Sequence, residues 1–117
     1  MISINETRSL IQSDPENWSV YLMDFVDEFR RSKNMELLDI LFKNSDEKWD
    51  PLLAATVASL CDEMKLKIPD WILDIPACKD PWFVSGVENL KAIALVESPL
   101  QFRIRKIFVL ENFLHRV

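Results

Sequence analysis

The chain holds a single glycine, Gly86, in 117 residues. At an average usage of roughly 7%, about eight would be expected. Tight hairpin turns need residues that tolerate positive φ, usually glycine. A chain almost without glycine is therefore poorly equipped for a meander of strands and predicts helices. Apolar residues make up 49% of the chain, with 4 Trp and 7 Phe among them, enough for a real core and unlike a disordered segment. The length is that of one ordinary domain. The fold class that follows is all-α: a compact single-domain bundle of five to seven helices spanning residues 1–117.

Local signals divide the chain. Ser3 and Glu6 have capping-box spacing, which predicts a first helix over about 4–12 with Ile4, Leu10 and Ile11 available to pack. Asp14-Pro15 pairs a cap residue with a proline suited to the first helical position. Trp18, Leu22, Phe25 and Phe29 then recur on one face of a second helix, with Arg30 and Arg31 near its end. MELLDILFKN predicts a short third helix with Leu37, Leu38, Leu41 and Phe42 inward. Asp50-Pro51 repeats the cap-then-proline signal and opens the most apolar segment, whose Ala54, Ala55 and Ala58 permit close approach of a neighbour. That helix should be central. Pro69, Pro76 and Pro81 exclude a long regular helix over the next stretch. Its tryptophans, Trp71 and Trp82, predict an ordered loop with one turn starting at Pro69. Ser85 and Glu88 open a helix over about 86–97 with Leu90, Ile93 and Ala94 inward, and Ser98-Pro99 opens another short one. Over 102–109 the pattern fits either a strand or a helix, and periodicity cannot arbitrate in so few residues.

The net charge is −5, unevenly spread: +3 over residues 98–117 and −8 over the rest. The body should repel nucleic acid, so any such contact would be local to the C-terminal segment. No stretch approaches the length of a transmembrane span and no secretory leader is visible, so the cytoplasm is expected.

Chemistry is sparse. One glycine cannot make a phosphate-binding loop. Cys61 and Cys78 with one histidine, His115, are too few for a zinc site, and Cys61 sits on an apolar helix face as an inert thiol would. The carboxylates Asp24/Asp27/Glu28, Asp46/Glu47/Asp50 and Asp62/Glu63 read as solvated faces of amphipathic helices. No catalytic residue, metal or cofactor is expected, and the chain should not be an enzyme. The candidate partner-binding residues are Trp82, Phe83, Arg103, Arg105 and Lys106. The aromatics either anchor a partner or pin the loop to the core. The three cations form a solvated face, meet an acidic surface, or contact phosphate, which usually takes more than three.

The runs PDWILDIP, PWFVSG and ESPLQFRIRKIFVLENFLHRV, covering mainly residues 69–117, resemble a small helical bacterial domain with a closing pattern like S-P-x-x-F-R-x-R-x-I-F-V. The matching positions are Pro69, Trp71, Trp82, Phe83, Val84, Ser98, Pro99, Phe102, Arg103, Arg105, Ile107, Phe108 and Val109. Lys106 departs from the Gly or Asn frequent before the I-F-V run, which argues against a tight turn there. The family includes regulator-associated proteins and antitoxin-like halves of toxin–antitoxin gene pairs, often beside nucleotidyltransferase-like toxins. The resemblance implies a non-enzymatic module that binds and neutralises or regulates a partner protein. The other function considered is a nucleic-acid-associated transcriptional regulator using the basic C-terminal segment. No recognition helix of the kind that reads a DNA groove is evident in the acidic first 68 residues.

Overall fold

The computed structural model describes residues 2–38, 49–84, 90–110 and 113–114. Among these, helix of one kind or another accounts for 68%, which settles the class as predominantly helical. Five α-helices are present: α1 Ile4–Ser13, α2 Trp18–Ser32, α3 Trp49–Met64, α4 Lys91–Glu97 and α5 Leu100–Arg103. Two two-residue strands, β1 Trp82–Phe83 and β2 Ile107–Phe108, pair in parallel.

The predicted caps act in different ways. Ser3 starts α1 as its spacing indicates, its Oγ accepting the Glu6 N–H at 3.1 Å. Ile4 and Ile11 are buried, whereas Leu10, expected to pack, is exposed. Asp14 does not cap backbone. Pro15–Asn17 form a 3-10 turn, and the Asp14 carboxylate accepts from Asn17 Nδ2 and the Tyr21 hydroxyl, each at 2.8 Å. These bonds, Asn17's first, hold its carboxyl below the usual carboxylate value. In α2, Leu22, Phe25, Val26 and Phe29 are buried at helical spacing, with the Phe25 and Phe29 rings stacked at 6.1 Å. The third segment is a 3-10 turn, Met35–Leu38, with Leu37 and Leu38 buried. The expected positions Leu41 and Phe42 lie outside the described residues, as do Asp46, Glu47, Ser85, Gly86, Glu88 and His115.

Helix α3 is central. Every residue from Asp50 to Ala58 is buried, on all sides of the helix, as expected of a segment enclosed by the rest of the chain. Asp50 corrects the solvated-face assignment: it lies inside the first turn, 1% exposed, because Arg8 on α1 reaches it with Nε at 2.7 Å and Nη2 at 3.2 Å. A carboxylate is buried only when its charge is met in this way. The other acids fit their assignment better. Asp24, Asp27, Asp62 and Glu63 are exposed, and Glu63 receives the Arg30 fork.

Helix ends show the cost of lacking glycine. Lys33 (φ 52°) and Lys65 (φ 57°) take the left-handed position that glycine usually fills. At Lys65 the paired bonds Leu66 N–H to Cys61 O (2.8 Å) and Lys65 N–H to Asp62 O (3.3 Å) make a Schellman ending. The Pro/Trp-rich loop begins with the predicted turn. Asp70–Asp74 form a 3-10 turn after Pro69, and Trp71 Nε1 donates to the Leu38 carbonyl at 3.0 Å. The radius of gyration is 13.4 Å, close to the roughly 13 Å of a compact chain of this length.

Candidate partner-binding surface

The C-terminal segment is built from Ser98 outward. Ser98 is buried, and its Oγ donates to the Ile107 carbonyl at 3.0 Å while accepting the Val109 N–H at 3.3 Å. One hydroxyl thus fastens the start of α5 to β2. Pro99 precedes the single turn of α5, which sends Phe102 into the core against Phe113, ring centroids 5.6 Å apart. The turn continues past α5, since Arg105 N–H donates to Phe102 O and Lys106 N–H to Arg103 O. Lys106 then adopts φ 62°, so the tight turn that its side chain argues against does form, with lysine in the left-handed region. Its carbonyl accepts the Trp82 N–H at 2.8 Å, and Val84 N–H to Phe108 O at 3.1 Å completes the ladder.

This geometry sorts the three cations. Residues one helical turn apart share a face, and those two apart oppose each other. Arg105, three positions after Phe102, therefore turns inward, and Ile104, two positions after it, turns outward. The inward turn of Arg105 departs from a solvated face for all three cations, one of the readings that the sequence leaves open. Arg105 is 8% exposed, with Nη1 donating to the Gln101 carbonyl (2.8 Å) and Oε1 (3.0 Å), and Nε buried without a partner. Burial pushes its pKa down from the ordinary arginine value. Arg103 stays exposed and lays Nη2 across the Val96 and Ser98 carbonyls at 3.0 and 2.9 Å, capping the C-terminus of α4. Lys106 is exposed.

The aromatic candidates face the protein's own rings. Trp82 is half-buried, edge-on to Trp49 at 5.6 Å and tilted to Trp18 at 6.1 Å, while Trp18 also meets Trp49 and Phe113. Phe83, also half-buried, stacks on Phe108 at 5.1 Å under the Lys91 ammonium. Both pin the loop to the body.

The surface that sequence reasoning missed is aliphatic. Ile93, expected inward, is 45% exposed; around it Leu95, Val96 (77%), Leu100 (65%) and Ile104 (56%) are exposed too. Of the α4 residues only Ala94 is buried. Val96 lies against Arg103 through the guanidinium bond, and Leu100 and Ile104 follow one turn apart. A group of exposed aliphatics beside exposed cations is the kind of surface that marks an interaction site. The signal that could have found it is the scarcity of polar residues in KAIALVE: a seven-residue helix that packs only one alanine leaves its other aliphatics out.

Reactive groups are withdrawn. Cys61 and Cys78 are buried and outside any disulfide, and burial, followed by the neighbouring Asp62 charge, pushes the Cys61 thiol up. Among the described residues no helix is long and apolar enough to cross a membrane. The site therefore defines a small helical protein with an aliphatic, cation-edged face. Comparison with known protein families, curated proteins and solved structures finds no match.

Proposed function

We propose that the protein is a non-enzymatic interaction module, antitoxin-like, that binds a partner protein through α4, α5 and the turn at Lys106 and restrains it by occlusion. The observation that carries this is the exposed Val96, Leu100 and Ile104 beside Arg103. The pattern linking residues 69–117 to antitoxin-like domains supports the same role, and a nucleotidyltransferase-like toxin is the kind of partner it suggests. Two cysteines outside any disulfide fit a reducing compartment such as the cytoplasm. A nucleic-acid role has less support: with Arg105 turned inward, residues 98–110 keep Arg103 and Lys106 as their exposed cations.

Co-purification from the native host, followed by mass spectrometry, tests the proposal. One stoichiometric partner is expected with the natural chain, lost in a Leu100→Ser, Ile104→Asn double variant that retains its circular dichroism. Recovery of the chain alone under mild conditions, or of the same partner with both chains, would overturn it. A gel shift that weakens with salt and disappears with Arg103→Glu would instead support nucleic acid.

A further inference from the structure

The arginines of the N-terminal half are matched. Arg8 pairs with Asp50, Arg30 with Glu63 and Arg31 with Glu28. Residues 98–110 contain Arg103, Arg105 and Lys106 and no acid at all. Among the described residues none of these three cations forms an ion pair with a carboxylate. Arg105 sharpens the contrast. A buried guanidinium ordinarily sits against a carboxylate, because its desolvation is otherwise uncompensated. Here it meets only the neutral Gln101, whose amide in turn holds Asp62 at 2.7 Å, and Nε has no partner. The segment is thus locally rich in positive charge, with Glu97 the acid next to it at the end of α4, and part of that charge lies in a low-dielectric setting where its field is weakly screened. It adjoins the largest run of exposed aliphatics described above, in a protein whose net charge is −5.

Resting on the interaction role proposed above, we infer that the occupant of this face is an acidic amphipathic segment of the partner protein. Its aliphatics cover Val96, Leu100 and Ile104, and its carboxylates meet Arg103 and Lys106. An amphipathic helix is the form in which a partner presents an apolar stripe beside a row of carboxylates. The positive charge selects against a basic or neutral segment with the same stripe, since a like charge placed opposite is repelled.

Three synthetic peptides test this: one leucine stripe, with glutamate, glutamine or lysine on the polar face, titrated against the full chain by fluorescence anisotropy. The glutamate peptide should bind, about tenfold or more tighter than the glutamine peptide, with the gap closing as salt is raised. The lysine peptide should not bind. Lys106→Glu, at an exposed side chain, should remove the preference for glutamate, and Leu100→Ser should weaken both binding peptides. Equal binding of all three, preference for lysine, or no binding would overturn the inference. So would a dimer in sedimentation that Leu100→Ser dissociates, because a second copy would then be the occupant. If co-purification yields a Leu100-dependent partner while the peptides show no charge preference, the interaction role stands and the acidic chemistry falls.

Discussion

Lysine stands in for glycine at three positions. Lys33, Lys65 and Lys106 hold φ of 52°, 57° and 62°. A side chain with a Cβ pays roughly 1 kcal/mol or more in that region, so the chain carries local strain at two helix ends and at the turn into β2. Replacing each in turn by glycine should stabilise the fold, by up to about 1 kcal/mol at each site after the entropy of the unfolded chain is counted. Urea midpoints at unchanged m check it; a loss at all three sites would show that the lysine side chains contribute packing that outweighs the strain. The lone glycine was a good guide to class, because helices are what such a chain can make. For the same reason it was a poor guide to boundaries. The usual sign of a helix end is missing, and nothing in the sequence marks Lys33 or Lys65 as the residue that stops.

At the level of elements, most of the difference between expectation and structure traces to one turn of helix. Residues 102–109 fit either period, and the choice decides which side chains face out. As a strand, Arg103 and Arg105 would share the outer face; as a turn of helix followed by β2, Arg105 enters and Ile104 leaves. The tie is broken by Ser98, nine residues upstream of its Ile107 acceptor and beyond the reach of any local pattern. Ser98, Phe102, Arg103 and Arg105 thus serve mostly as folding instructions: Ser98 fastens, Phe102 packs, Arg103 caps and Arg105 turns in. By contrast, α1 and α2 were legible because their apolar spacing, and the Ser3 cap of α1, act locally. Ser98→Ala leaves the Ile107 carbonyl and Val109 amide without a hydroxyl in a buried setting, at a cost of about 1–3 kcal/mol. The loss should appear in urea unfolding, together with faster amide exchange at Trp82 and Val84 than in α3; uniform protection across both regions would count against a fastening role.

Across the whole molecule, two of the long-range contacts that hold elements to α3 stand out. The Arg8–Asp50 fork ties α1 to it, and the Trp18, Trp49 and Trp82 rings gather α2, α3 and β1. Neither is visible in a linear reading, since charge pairs and ring clusters depend on residues 42 positions apart in the first case. Removing one member of a buried pair costs about 3–5 kcal/mol, because the other charge is left behind. Arg8→Ala takes the guanidinium from a fully buried Asp50, whereas Asp50→Ala takes the carboxylate from an Arg8 that keeps some contact with solvent. The first should therefore lower the melting temperature more than the second, and the reverse order in a thermal melt would refute this assignment of the charges.

The parallel ladder has a kinetic consequence. Pairing Trp82 with Ile107 closes a loop of about 25 residues, at an entropic cost of roughly 3 kcal/mol. Its few ladder bonds return about 1 kcal/mol each, which at most offsets that cost. The strands therefore cannot seed the fold. They close late, once Phe102 and Ile107 have a core to enter, and they are placed to open first. Since that closure sets the α4–α5 face, a partner seated there would act as a clasp, slowing the opening of the whole C-terminal third.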